Sequence, residues 1–422
     1  MDKLVVEGGC KLNGKVRVSG AKNACLPILA AVLLTDEECV ISNVPDLRDV
    51  TTMLKILGAL GRSVERQGNV VHVSAGSVTN VTAAYELVST MRASIAVLGP
   101  LIAKYGNAKV SFPGGCVIGP RPIDLHLKGL RALGAEIKVE EGYILAAVKR
   151  LKGKRIYLGG HFGSSVLATA NTLMAAVLSE GETVIENAAC EPEISDLINF
   201  LNLMGAKILG NGTPTLKING VSKLNGAKYS VIPDRIETGT YMIAAAAAGG
   251  CVFIENAKPE HNAALIDKLW EAGVVVKEHS DGVEICRKKD KLNAVDVTTL
   301  TYPGFPTDLQ AQMMSLTSVS NGISVITEKI YPERFIHISE LNRMGADILL
   351  EGATAIIKGV RSLSGAPVMA SDLRASAALV IAGLISEGKT EISRIYHLDR
   401  GYEHIEEKLS GLGAKIKRVK EQ

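Results

Sequence analysis

Aromatic side chains are scarce in this 422-residue chain, with one Trp, 6 Phe and 10 Tyr making 4% of the sequence. Surfaces that hold single-stranded nucleic acid stack bases on aromatic rings, so that class lacks its main ingredient. An excess of charge is missing too. Against 47 Lys and Arg stand 44 Asp and Glu, a net of +3, which removes the basic field a phosphate backbone requires. Two basic runs, KRLKGKR (149–155) and CRKKDKL (286–292), are short and hold no aromatic residue. They read as solvated turns, and no nucleic-acid partner is expected.

Long hydrophobic runs are also absent. The stretches LPILAAVLL (26–34) and ASAALVIAGLI (375–385) stop well short of the ~20 residues a membrane-spanning helix needs. The opening MDKLVVEGG lacks the charged-then-apolar pattern of a signal peptide. Seven cysteines contain no Cys-x-x-Cys pair. That spacing argues against a disulfide framework or a zinc site and for a reducing compartment. A soluble cytoplasmic protein without a metal is expected.

Apolar residues make up 47% of the chain, and its length exceeds what one core organises, so two or three domains are expected. A repeat supports this. LKILGALGRSV (54–64), LKGLRALGAEI (127–137), INFLNLMGAKI (198–208), IDKLWEAGVVV (266–276), ISELNRMGADI (338–348) and IEEKLSGLGAKI (405–416) are six versions of one pattern. Each predicts an amphipathic helix stopped at a glycine and followed by a strand. Glycine belongs there because the residue past a helix end often turns left-handed. The aligned residues are Gly61, Gly134, Gly205, Gly273, Gly345 and Gly413.

Between these copies lies a second helix, rich in small residues and apolar nearly all round. Such a helix is buried on every side. The polar residues gather at its starts: SGAKN (19–23), STMRAS (89–94), GSSVLAT (163–169), PDRIETGT (233–240), PTDLQ (306–310) and ASDLRAS (370–376). Ser, Thr and Asp there cap a helix. Lys22, Arg92, Arg235 and Arg374 are not explained by capping, since cations oppose the helix dipole. Free N–H groups beside cations suit an anion.

The stretches SGAKNACLPILAA, PGGCVIGPRPIDLHLKGLRALGAEI, IPDRIETGTY, PGFPTDLQAQ and DLRASAALVIAGL together resemble the enolpyruvyl transferases. Among them they resemble the UDP-N-acetylglucosamine 1-carboxyvinyltransferase family, from Leu4 to about Ile416. The resemblance implies an α/β fold: a two-lobed, inside-out α/β barrel of six βαβαββ repeats, three per lobe, around buried helices. One lobe would hold 22–231 with the Cys116 loop. The other would hold 1–21 plus 232–422. The implied reaction moves the enolpyruvyl group of phosphoenolpyruvate to the 3′-hydroxyl of UDP-N-acetylglucosamine and releases phosphate. That step opens peptidoglycan synthesis, and with it cell-wall biogenesis, cell shape and division. No cofactor is implied.

By the same resemblance, Lys22, Arg121 and Arg400 would hold phosphoenolpyruvate. Without it, Arg400 in HLDRGYEH reads as an ion pair with Asp399 or Glu403. Cys116 would donate a proton, form a covalent adduct, and be the target of an epoxide of the fosfomycin type. A thiol near cations favours the reactive thiolate. Asp308 would take the proton of the sugar hydroxyl, with Asp372 close to the reacting centre. The sugar nucleotide would touch Asn23, Arg92, the run Arg121, Pro122, Ile123, Asp124 and Leu125, then Ser164, Ser165, Val166, Asp308 and Ile330. His126 would shape the loop, against the alternative of a structural hydrogen bond. Asp49, Arg374, Glu191 and Glu193 are further candidates. At Leu167 the family has a glycine, which unsettles the contacts of 164–167. Two alternatives stay open: a shikimate-pathway synthase, opposed by the Cys116 loop, and a silent binding or regulatory paralogue, opposed by the retained polar set.

Overall fold

All six aligned glycines lie just past a helix, with φ between 91° and 103°. The computed structural model of the chain describes residues 2–114, 123–160, 163–288 and 290–420. The outer helices are Arg48–Ala59, Asp124–Ala132, Pro192–Leu203, Ala263–Glu271, Ile338–Arg343 and Ile405–Gly411. Each shows a buried stripe and an exposed face, as an amphipathic surface helix should.

The inner helices differ in kind. Lys22–Ala31 buries nine of its residues, and Leu373–Ile385 and Arg235–Ala248 are buried nearly throughout. Two inner elements depart from the expected single helix. They begin as 3-10 turns, Arg92–Val97 and Thr307–Leu309, before continuing as Leu98–Tyr105 and Gln310–Thr317. Pro100 falls in the first turn of the former continuation. A missing N–H costs nothing at that position.

Among the described residues the strands form six four-stranded sheets and one two-stranded pair. A typical repeat runs strand Arg155–Tyr157, inner helix Val166–Ala176, strand Glu182–Glu186, outer helix Pro192–Leu203, and the hairpin Lys207–Leu209 with Thr215–Asn219. The first strand pairs parallel with the second, and the hairpin adds antiparallel. The inner helices are buried, the outer helices and the sheets each keep an exposed face, and none of these sheets closes on itself.

The chain divides into two compact units, one from residues 2–19 and 233–420, the other from 20–114 and 123–232. Each has its own hydrophobic core. In the first unit, the strand Asp2–Glu7 lies between Lys389–Ser393 and Lys415–Lys420 and is antiparallel to both. Among the described residues, no helix is long and apolar enough to cross a membrane.

One expectation is corrected. Cys251 and Cys286 are joined by a disulfide across two paired strands. Spacing along the chain gave no warning, because strand register rather than sequence proximity brings the sulfurs together.

Candidate active site

In the unit of residues 2–19 and 233–420, the inner-helix starts carry a dense polar cluster. Asp308 sits in the 3-10 turn Thr307–Leu309. Its carboxylate accepts from Arg334 Nη1 at 2.8 Å and from Arg374 Nη2 at 3.2 Å. Both arginine side chains are about 95% buried, while Asp308 keeps 26% of its side chain exposed. Burial works against the charge on Asp308. The Arg374 and Arg334 guanidinium groups outweigh it and hold the carboxyl well below the usual carboxylate range.

The second fork of Arg374 reaches the Tyr402 hydroxyl at 3.2 Å. That hydroxyl also meets Thr240 Oγ1 at 2.9 Å and accepts from Gln312 Nε2 at 3.2 Å. These bonds restrict the side-chain positions, although Gln312 Oε1 has no hydrogen-bond partner among the described residues. Asp372 caps its own helix, accepting from the N–H groups of Arg374 at 2.8 Å and Ala375 at 3.1 Å. Asp234 does the same for Arg235–Ala248, accepting from Ile236 and Glu237. His337 lies buried with Nε2 3.0 Å from the Met314 sulfur, and burial lowers its pKa to about 4. It is neutral at pH 7.

Glu328 organises the adjoining loop. Its carboxylate accepts from Thr299 at 2.6 Å, from Thr307 at 2.9 Å and from the backbone N–H of Ile330 at 2.8 Å. One buried acid thus ties Ile330 to the turn that carries Asp308. Arg400 ends the 3-10 helix Ile395–Arg400 and is half-buried. Its neighbour Asp399 is held by Arg418 through contacts of 2.6 and 3.1 Å.

In the unit of residues 20–114 and 123–232, Lys22 opens its inner helix and is 8% exposed. Its Nζ lies 3.5 Å from Asp49, which occupies the first turn of the adjacent outer helix. Asn23 follows, half-buried. His126 is buried, and Asn171 Nδ2 lies 2.9 Å from its Nδ1. The same amide donates to the Ile95 carbonyl, while Asn171 Oδ1 accepts from Gly99 N–H. Those bonds fix the amide, so Nδ1 of His126 accepts and the proton sits on Nε2. Burial first, then the charge of Arg92, lowers His126 to about 3. This is the structural hydrogen bond weighed as the alternative.

Ile123 is buried at the N-cap of the helix that begins with exposed Asp124 and continues through Leu125, 9% exposed. Ser165 caps Val166–Ala176, and Ser164, Val166 and Leu167 are half-buried at the same start. Glu191 and Glu193 are buried at the start of Pro192–Leu203. Cys116, Arg121 and Pro122 lie outside the described residues.

The structure therefore adds Arg334, Glu328, Tyr402 and Gln312 to the residues expected from sequence. A signal for Arg334 existed. The pairs Glu333-Arg334 and Asp399-Arg400 stand at similar distances before Gly345 and Gly413. A groove of about 1020 Å³ lies elsewhere, at the far ends of inner helices, lined by segments such as Leu34–Glu37, Lys104–Asn107 and Leu178–Gly181. Two of its acids are paired with its bases, Asp36 with Lys104 and Glu180 with Arg150. None of the expected site residues lines it.

Comparison with known proteins decides the family. The model of EPSP synthase (3-phosphoshikimate 1-carboxyvinyltransferase) matches residues 6–409. UDP-N-acetylglucosamine 1-carboxyvinyltransferase of Desulfosudis oleivorans is 56% identical over 419 residues, covering 99% of this chain and 100% of its own. The protein of that name from Trichlorobacter lovleyi is 56% identical over 422 residues, with both chains fully covered. This chain belongs to the UDP-N-acetylglucosamine 1-carboxyvinyltransferase family, within the enolpyruvyl transferases. Solved structures show the same fold. The enolpyruvyl transferase NikO from Streptomyces tendae superposes with a TM-score of 0.90 at 24% identity, covering 100% of this chain and 99% of its own. EPSP synthase from Acinetobacter baumannii gives 0.78 at 18% identity, with both chains fully covered. A carboxyvinyltransferase of this family is thus favoured over the shikimate-pathway alternative, whose structural relative is far more distant in sequence.

Proposed function

We propose that the chain transfers the enolpyruvyl group of phosphoenolpyruvate to the 3′-hydroxyl of UDP-N-acetylglucosamine, releasing phosphate, as the first committed step of peptidoglycan synthesis in the cytoplasm. The observation that carries this reading is full-length identity of 56% to carboxyvinyltransferases of that name. The Asp308–Arg334–Arg374 cluster at an inner-helix start supports it.

In this reading Lys22, Arg121 and Arg400 bind phosphoenolpyruvate. Fixed cations suit its phosphate and carboxylate, and arginine can meet both by two-pronged bonds. Asn23, Arg92, residues 121–125, Ser164 to Val166 and Ile330 contact the sugar nucleotide. Its 3′-oxygen attacks C2 of phosphoenolpyruvate while the Cys116 thiol protonates C3. Loss of a proton from C3 and of phosphate from C2 then restores the double bond. Asp308 receives the hydroxyl proton, and Asp372 stands beside the reacting carbon. Two guanidinium groups make Asp308 a weak base, so it gains the proton only as the new C–O bond forms. Cys116 is also the site of the covalent adduct and of attack on a fosfomycin-type epoxide. No metal or organic cofactor enters the scheme.

Phosphate release from phosphoenolpyruvate should require UDP-N-acetylglucosamine, and shikimate 3-phosphate should not replace it. Well-folded protein that releases phosphate with neither acceptor would overturn the assignment. Mass spectrometry should find an epoxide label on Cys116 and nowhere else.

A further inference from the structure

Cys251 lies in the strand Gly250–Glu255 and Cys286 in Gly282–Arg287, directly opposite one another in antiparallel register. Their Cα atoms are 4.2 Å apart. That is the close spacing of a non-hydrogen-bonded pair, in which facing side chains approach most nearly. Their neighbours Val252 and Ile285 are fully buried, whereas both cysteines are half-buried. Strand alternation therefore puts the sulfurs on the sheet face away from the core.

The surroundings suit thiol chemistry. Glu284 Oε1 is 3.6 Å from the Cys251 sulfur, and Lys277 holds Glu284 at 2.9 Å, offsetting the carboxylate's repulsion of a thiolate. The Cys251 N–H donates to Asn13 at 3.1 Å, fixing the strand to a third one. By contrast, Cys25 and Cys39 are buried, and burial pushes their thiols up. The two sulfurs and Glu284 also form a three-ligand cluster. With the sulfurs bonded to each other only the carboxylate is left for a cation, so the geometry favours sulfur exchange over metal binding.

We propose that Cys251 and Cys286 form a reversible thiol–disulfide site that exchanges with low-molecular-weight disulfides of the glutathione class. One thiolate attacks a sulfur of the small disulfide, forming a mixed disulfide and expelling one thiolate. The second cysteine, as thiolate, attacks the protein sulfur of that mixed disulfide and expels the other. The protein loses two electrons and two protons, and the small disulfide becomes two thiols. Because the partner sulfur already faces the mixed disulfide, the second step is intramolecular and fast. The closed bond brackets the 3-10 helix Pro259–Asn262, the outer helix Ala263–Glu271 and the strand Val275–His279.

The test uses the full chain, reduced, freed of reductant, and treated with oxidised glutathione. Peptide mapping should find Cys251 linked to Cys286 with no glutathione on either, and dithiothreitol should restore both thiols. Cys286→Ser should instead accumulate a glutathione adduct at Cys251. The proposal fails if both cysteines stay alkylatable after the treatment, or if a mixed disulfide accumulates at either one in the unsubstituted chain. Circular dichroism of the reduced chain and of Cys286→Ser guards against misfolding as the cause.

Discussion

Arg334 donates to Asp308 at 2.8 Å from a loop 26 residues further along the chain. The Arg334 side chain is 5% exposed and that of Asp308 26% exposed. One edge of the pair is sealed and the other is open to a ligand. Arg334→Ala should leave Asp308 with Arg374 alone and cost about 3 kcal/mol of stability. It should also lower phosphate release well beyond what the loss of folded protein explains. Arg334→Lys should recover more stability than turnover, because a flexible ammonium does not hold the fixed planar placement from which Nη1 donates to both Thr307 and Asp308. Melting curves beside turnover assays separate the two effects.

Acid should weaken the fold over a defined window. His126 and His337 titrate at about 3 and about 4, while an unfolded histidine titrates near 6.5, taken as about 6.5 from model peptides. As pH falls, the unfolded chain takes up protons first. The contribution of each neutral ring is complete above that value and shrinks between it and the folded value. Each should give a slope of about 1.4 kcal/mol per pH unit within the window. Urea unfolding between pH 7 and pH 5 measures it. His126→Gln should be less stable at pH 7 and show a shallower decline, and an unchanged slope would refute the assignment.

The helix-ending glycines should not respond alike to substitution. A Cβ on Gly345 meets nothing within 4 Å, whereas on Gly61 it would lie 2.2 Å from the Thr79 hydroxyl and 2.8 Å from its backbone nitrogen. Gly345→Ala should cost about 1 kcal/mol from left-handed backbone strain alone. Gly61→Ala should cost clearly more, since backbone must move. Denaturant midpoints of the two variants give the comparison.

Arg418 should matter for phosphoenolpyruvate without touching it. It grips Asp399 and Glu406. Arg418→Ala releases Asp399 to compete for its neighbour Arg400. KM for phosphoenolpyruvate should rise about fivefold, equivalent to ~1 kcal/mol. Adding Asp399→Asn should return it toward the original value. A double variant as impaired as the single one would show that Arg418 acts otherwise.

The repeat, its helix ends and the buried character of the inner helices could be read from residue order, because each is a local pattern of period 3.6 closed by a glycine. Lys22 stood out as a cation at the start of an apolar helix, whereas Asp308 and Asp372 read there as helix-start acids and took their site roles from the family resemblance. Glu328 and Tyr402 did not stand out, and Arg334 was marked only by the likeness of the pair Glu333-Arg334 to Asp399-Arg400. They come from irregular loops, where no helical or strand periodicity marks them, and their partners Thr307, Arg374 and Asp308 lie 21, 28 and 26 residues away. Cys251 and Cys286 escaped notice because only the register of two strands, 35 residues apart, sets them face to face.

The strand Asp2–Glu7 has a further consequence. Both of its neighbours, Lys389–Ser393 and Lys415–Lys420, are made last. On the ribosome the unit completed at residue 232 can assemble while this early segment still waits without neighbours. At roughly 5–20 residues per second that wait lasts on the order of twenty seconds or more. Interval, rather than affinity, is then what exposes this short strand, with its apolar Leu4, Val5 and Val6, to chaperones or to mispairing. A rearranged gene that places residues 2–19 after residue 420 would remove the delay while keeping every contact.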